Sequence, residues 1–127
     1  MRKLAAGIIA AICLAGVSAA DERRSALYGS WGDARQCARD LIIPGGTVRA
    51  EPFEIAEGWL RHRQIWCQLS WFDVTFRPGG LFTTAVALCG DDSTRSYRLD
   101  FALSHGFLTL IWDETLVNGP LGRCVEG

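Results

Sequence analysis

Alternating apolar and polar residues around His105-Gly106 constrain the fold of this chain more than any other feature. If these two residues form a hairpin turn, apolar residues fall opposite one another on one face, in the pairs Leu103/Leu108, Phe101/Leu110 and Leu99/Trp112. On the other face the same register places Arg98 opposite Asp113. His105 and Gly106 both tolerate a positive φ, so packing, charge and turn chemistry predict the same hairpin.

A second hairpin is predicted around Arg77-Pro78-Gly79-Gly80. Gln64 to Phe76 is rich in aromatic and β-branched residues, and its alternation changes phase near Trp71, which indicates a β-bulge. Leu81 to Cys89 returns as the partner strand. Asp91-Asp92-Ser93 then forms a polar loop.

The N-terminal half contains the signals for one short helix. Leu27 to Trp31 has the composition of a first short strand. Asp33 and Gln36 have the spacing of a capping box, which predicts a helix from Ala34 to Leu41 that ends before Pro44-Gly45-Gly46. The apolar stripe of this helix includes Cys37, and we expect that sulfur to lie against the core.

These elements predict an all-β fold. Thr47 to Ile55 is a further strand, in which Pro52 indicates an edge position or a break. The chain is therefore expected to form six to eight antiparallel strands with one short helix after the first strand. A small closed barrel and a sandwich are both consistent with this pattern.

The first 20 residues have the three parts of a secretory signal peptide. Arg2-Lys3 is followed by an apolar run from Leu4 to Val17 and then by the small residues Ser18-Ala19-Ala20. We expect cleavage after residue 20, a single β-rich domain over residues 21–127, and a periplasmic or secreted location. A retained anchor is the alternative, but no basic stop-transfer flank follows the run, so no stable membrane span is expected after cleavage.

All of the cysteines except Cys13 lie in the exported part, and their even number predicts two disulfides. The hairpin around Pro78 brings Cys67 and Cys89 nearly opposite each other. This favours the pair Cys67–Cys89 and leaves Cys37 for Cys124, while the two other connectivities stay open. A zinc site is not favoured, because the cysteines do not occur in closely spaced pairs.

No catalytic, metal-binding or cofactor-binding signature is present. His105 is explained by its turn, and His62 lies between two arginines that we expect to keep it exposed. The chain carries 13 basic and 14 acidic side chains, so its charge does not suggest a nucleic acid as partner. A pair of carboxylates for glycoside hydrolysis could come from Glu51, Glu54, Glu57 and Asp113.

The chain has five tryptophans. By alternation Trp71 and Trp112 point inward, and we expect them to fill the core rather than to line a ligand site. Tryptophan and arginine, which are enriched at binding hot spots, occur together in a candidate aromatic–arginine patch. This patch consists of Trp59, Arg61, Arg63 and Trp66. The alternative is that a second sheet covers both tryptophan rings.

Gly29-Ser30-Trp31, on the first strand of the exported part, resembles the Gly-x-Trp that opens lipocalins and other calycin-type barrels. With Cys37 soon after it, the segment is similar also to small secreted bacterial metalloprotease inhibitors. The resemblance implies an up-and-down barrel with Trp31 packed across its closed end. The chain departs from lipocalins in its shorter length, and from the inhibitors in its four cysteines and its dense aromatic middle.

Three functional hypotheses follow. The first is an exported binding or inhibitory module that acts on a protein partner through the aromatic–arginine patch. The second is a barrel that binds a small apolar ligand, which requires a cavity larger than a water molecule. The third is a hydrolase that uses carboxylates.

Overall fold

The computed structural model describes residues 23–43, 46–90 and 95–125. A 3-10 turn at Ser25–Leu27 precedes the other elements. In chain order they are β1 (Gly29–Gly32), α1 (Ala34–Ala38), β2 (Asp40–Ile43), β3 (Gly46–Arg49), β4 (Phe53–Ile55), β5 (Trp59–His62), β6 (Ile65–Arg77), β7 (Gly80–Cys89), β8 (Arg95–Ser104), β9 (Phe107–Trp112) and β10 (Leu116–Arg123).

Eight of these strands form one closed antiparallel barrel in the order β1-β10-β9-β8-β7-β6-β5-β4, and β4 pairs with β1 to complete the circle. The predicted all-β fold is confirmed, and the barrel rather than the sandwich is correct. Closure leaves no unpaired edge in this sheet, which is the usual reason for a small antiparallel sheet to close. β2 and β3 form a separate two-stranded hairpin.

The β8–β9 hairpin has the predicted register, with all three apolar pairs opposite each other. His105 and Gly106 form the turn with φ values of 51° and 85°. Arg98 and Asp113 do meet, but through the backbone: the Arg98 N–H donates to Asp113 Oδ1 at 2.8 Å. The guanidinium of Arg98 instead pairs with Asp100 and Glu114, because Asp113 lies in the turn after β9 ends.

The β6–β7 hairpin also follows the prediction, with Cys67 directly opposite Cys89. The register shifts between Trp71 and Val74, which confirms the bulge. The buried Thr83 hydroxyl donates to the Asp73 carbonyl at 3.1 Å, so β7 supplies a partner for a backbone group of the bulged strand.

Two predictions for the N-terminal half were wrong. Leu27 belongs to the 3-10 turn and not to a strand. The capping box of Asp33 and Gln36 is present, but α1 ends at Ala38, and Arg39 leaves helical geometry with φ 73°. The residues expected to continue the helix pair with β3 instead, so strand pairing overrides the local helical spacing. The break at Pro52 is confirmed, and Pro44-Gly45 lies outside the described residues.

Both predicted disulfides, Cys37–Cys124 and Cys67–Cys89, are present. The expectation that Cys37 lies against the core was wrong, since it is only half-buried and α1 has no buried residue. The helix lies outside the barrel, and this disulfide joins it to the segment just after β10. Next to it, the Cys124 N–H donates to the Ser30 carbonyl at 2.8 Å.

The 3-10 turn closes one end of the barrel. Trp31 is only 1% exposed, and its indole Nε1 donates to the Leu27 carbonyl at 2.9 Å. The Arg123 guanidinium lies 4.3 Å from the centre of the Trp31 ring and donates to the carbonyls of Tyr28 and Ala26 at 2.8 and 2.6 Å. This closed barrel is compatible with the calycin-type architecture that the Gly-x-Trp segment implied.

Candidate functional site

A cavity of about 350 Å³ lies at the end of the barrel opposite the 3-10 turn. In an up-and-down barrel the β5–β6, β7–β8 and β9–β10 connections share one end, and β1 starts from the other. The cavity lies among residues close to these three connections, and it is open to solvent. Its lining residues are Phe53, Leu60, His62, Ile65, Cys67, Cys89, Tyr97, Trp112, Leu116 and Asn118.

Aromatic rings form two parts of this wall. Phe53 of β4 and His62 of β5 are stacked, with ring centroids 4.1 Å apart and planes inclined by 16°. Tyr97 of β8 and Trp112 of β9 meet edge to face at 6.0 Å. Each of these rings points inward, because it lies two positions along its strand from a buried core residue. Side chains two positions apart lie on the same face of a strand.

The environment of His62 clearly changes the pKa of its imidazole. Burial is the main cause that lowers the pKa of its imidazole below the usual 6.5, and the Arg63 guanidinium lowers it further. A hydrogen bond to the Glu51 backbone carbonyl and the Glu51 carboxylate act in the opposite direction. The expectation that the flanking arginines keep His62 exposed was wrong, because alternation along β5 turns its side chain inward.

Two further polar groups line the cavity. Trp112 Nε1 donates to Asn118 Oδ1 at 2.8 Å, which uses the amide oxygen and leaves the amide nitrogen without a described partner. Within the described part of the chain, the Tyr97 hydroxyl has only a long contact, 3.4 Å, from the Arg95 guanidinium. The cavity therefore offers unused hydrogen-bonding groups in a largely apolar wall.

No Asp, Glu, Lys or Arg occurs among the described residues that line the cavity. Charged side chains occur next to it, in a neighbouring depression of about 410 Å³ lined by Glu51, Arg63, Gln64 and Ile65. The Cys67–Cys89 disulfide forms part of the cavity wall and covalently links β6 to β7 there.

The aromatic–arginine patch lies on the outer face of the same β5–β6 hairpin. Trp59 and Trp66 are 36% and 51% exposed, and their ring centroids are 5.0 Å apart. Arg61 lies over the Trp66 ring at 5.3 Å and also pairs with Glu54. The alternative of a second sheet over these rings is wrong, because both rings are exposed on the outer side of the barrel.

Arg63 is the one predicted patch residue that does not join the others. It is exposed in the β5–β6 turn with φ 60°, and it makes no ion pair or ring contact with the rest of the described chain. The structure thus brings together Trp59, Arg61 and Trp66, with Glu54 as an addition that the sequence pattern did not identify.

The inward direction of Trp71 and Trp112 is confirmed, but their roles differ. Trp71 packs against Phe101 at 4.8 Å between ring centroids. Trp112 packs against the core as expected, and it also lines the cavity.

Two of the four candidate carboxylates have partners elsewhere in the described chain. Glu54 is paired with Arg61, and Asp113 accepts a hydrogen bond from the Arg98 backbone. Within residues 23–43, 46–90 and 95–125, no three His, Cys, Asp or Glu side chains are grouped as a metal site would require. In the same ranges no helix is long and apolar enough to cross a membrane. Asp91-Asp92-Ser93 lies outside them.

Several cavity residues were not identified from the sequence. Phe53, Tyr97, Leu116 and Asn118 became site residues only when closure placed distant strands side by side. Alternation alone could have marked Tyr97, which shares its phase with the buried Leu99 and Phe101.

The fold and the cavity define a small disulfide-linked antiparallel barrel with one closed end and one open end. No protein-family model, no curated protein and no solved structure matches this chain.

Proposed function

We propose that this protein is an exported barrel that binds a small apolar ligand in the cavity at its open end. The observation that carries the proposal is the uncharged, aromatic-walled cavity of about 350 Å³. Ligand sites are typically apolar concavities of roughly 300–1,000 Å³ with a few polar groups that orient the ligand. This is the second hypothesis drawn from the sequence, and it is the function that the resemblance of the Gly-x-Trp segment to lipocalins implies.

The disulfides support an exported location for this function. Both are compatible with an oxidising compartment, where a protein outside the cytoplasm keeps its cystines. A rigid wall at Cys67–Cys89 also helps a preformed cavity to bind, because less conformational entropy is lost when the ligand enters.

The test is saturable binding of N-phenyl-1-naphthylamine, a neutral apolar dye whose emission increases in apolar surroundings. Leu116 lines the mouth of the cavity, whereas its neighbour Val117 points outward, and both are exposed, at 60% and 55%. We expect Leu116→Trp to weaken dye binding at least tenfold by filling the mouth, and Val117→Trp to leave it unchanged. Absence of saturable binding, or equal effects of the two variants, would overturn the proposal.

A second candidate function is binding to a secreted protein partner through Trp59, Arg61 and Trp66. The observation that favours it is the exposed tryptophan pair on the barrel surface, with Arg61 held over Trp66. Exposed Trp and Arg are the residue types on which interface energy concentrates. This candidate is the function that the similarity to the secreted metalloprotease inhibitors implies.

Its test compares the Trp59→Ala/Trp66→Ala double variant with Phe107→Ala, which removes another exposed aromatic ring from the surface. A partner captured from secreted proteins by the wild type should be lost by the double variant, retained by Phe107→Ala, and then bound directly in purified form. Equal capture by all three proteins would exclude the patch.

A further inference from the structure

We propose that the ligand is a neutral aromatic molecule of one or two rings that carries a hydroxyl group, with His62 as the hydrogen-bond acceptor that selects it. This inference rests on the proposed function and names its ligand class. It depends on the charge, the shape and the hydrogen-bonding groups of the cavity, which are argued in turn below.

The charge of the lining favours a neutral ligand. The described lining residues carry no formal charge as long as His62 is neutral. A carboxylate or ammonium group transferred from water into such a wall loses its hydration without gaining an ionic partner. Two cations lie near the cavity and could attract an anion instead: Arg63 in the neighbouring depression, and Arg95, which reaches the Tyr97 hydroxyl at 3.4 Å. An anionic probe therefore belongs in the test.

The shape of the lining favours flat rings over an alkyl chain. The Phe53–His62 stack and Trp112 present aromatic surfaces to the same cavity. Aromatic pairs gain free energy beyond simple burial when they stack with an offset or meet edge to face. The volume of about 350 Å³ is at the small end for a ligand site, which fits one or two rings.

The hydrogen-bonding groups favour a hydroxyl. His62 lines the cavity, and in its neutral imidazole one ring nitrogen carries the hydrogen while the second nitrogen is an acceptor. This second nitrogen has no partner in the described part of the chain. The Asn118 amide nitrogen is a donor that is also unused, since Trp112 occupies its oxygen. A ligand hydroxyl can donate to the free imidazole nitrogen of His62 or accept from the Asn118 amide nitrogen.

The experiment compares naphthalene, 2-naphthol and 2-naphthoate by equilibrium dialysis at pH 8, where 2-naphthol is neutral and 2-naphthoate is charged. We expect 2-naphthol to bind the wild-type protein about five- to tenfold more tightly than naphthalene, the gain of one hydrogen bond, and more tightly than 2-naphthoate. The His62→Phe variant keeps a flat ring against Phe53 and removes the acceptor, so it should clearly reduce the preference for 2-naphthol over naphthalene.

Ser96→Ala is the matched control, because Ser96 is the exposed neighbour of Tyr97 on β8 and does not line the cavity. It should retain the wild-type order of affinities. Equal wild-type affinity for naphthalene and 2-naphthol, or a preference for 2-naphthoate, would overturn the inference and leave the proposed function standing. Failure of all three probes and of N-phenyl-1-naphthylamine would overturn both. The wild-type comparison decides the outcome even if His62→Phe does not fold.

Discussion

At the closed end of the barrel, one arginine joins three parts of the chain. Arg123 near the C-terminus lies over the Trp31 ring of β1 and donates two hydrogen bonds to carbonyls of the 3-10 turn region. The planar guanidinium can stack and donate at the same time, which an ammonium group cannot do. The sequence pattern did not identify this residue, because its partners lie 95 and 97 positions away.

We therefore expect Arg123→Lys to reduce the free energy of unfolding by about 1–3 kcal/mol, through loss of the paired hydrogen bonds and of the ring contact. Urea denaturation followed by tryptophan fluorescence measures this. Arg95→Lys is the control, since within the described residues Arg95 makes only the long contact to Tyr97, and it should change stability little. Equal effects of the two variants would show that the Arg123 contacts add no stability.

His62 makes a second prediction at the scale of the residue. Burial and Arg63 lower the pKa of His62 in the folded protein. Near and below pH 6.5 the unfolded chain therefore binds more protons at this residue than the folded protein does. The stability of the protein should be constant with respect to this group above about pH 7, and should fall as the pH drops below about 6.5 towards the lowered pKa.

The His62→Gln variant removes this titration. Its free energy of unfolding should therefore depend less steeply on pH between about 6.5 and 5 than that of the wild type. His105→Asn is the control at an exposed turn position, where asparagine also tolerates the positive φ. An unchanged slope in His62→Gln would contradict the inward, half-buried position of His62.

Among the elements, α1 and the β6–β7 hairpin each carry one disulfide, and the two bridges act at different places. Cys37–Cys124 fastens the external helix to the C-terminal segment across 87 positions, whereas Cys67–Cys89 spans 22 positions and forms cavity wall. The longer loop restricts the unfolded chain more, so its bridge contributes more stability by chain entropy.

Replacing Cys37 and Cys124 by serine should lower stability by about 4–5 kcal/mol, and replacing Cys67 and Cys89 by about 3–4 kcal/mol. Dye binding should follow the opposite order. Under conditions where both variants remain folded, loss of Cys67–Cys89 should weaken N-phenyl-1-naphthylamine binding, while loss of Cys37–Cys124 should leave it near the wild-type value. The reverse order of affinities would place the ligand away from the open end.

For the whole molecule, binding and stability are linked through the closed barrel. A ligand that binds only the folded state stabilises it by mass action, by about 2.7 kcal/mol at a free concentration of 100 Kd. We expect 2-naphthol at this concentration to raise the midpoint of thermal unfolding of the wild type and of Val117→Trp, and to raise that of Leu116→Trp clearly less. A rise of equal size in all three proteins would indicate a site outside the cavity.

The sequence by itself determined the local part of this fold. Alternation predicted the β8–β9 register and the phase change at the bulge, because the direction of a strand side chain depends only on its position in the strand. The hairpin around Pro78 predicted Cys67–Cys89, and the remaining pair followed from the even number of cysteines. Alternation also predicted that Trp71 and Trp112 point inward. These features depend on residues close together in the chain.

Only the tertiary structure decided which inward residues share the open end. Closure through β1–β4 and β1–β10 pairs segments that are far apart in sequence, and its register depends on the stagger of all eight strands together. No local pattern encodes that stagger, so the contact of Arg123 with Trp31 could not be read from the sequence. Leu41 lies in a strand for another reason, because it pairs with Val48 in the separate β2–β3 hairpin, and this pairing outweighs the local helical spacing.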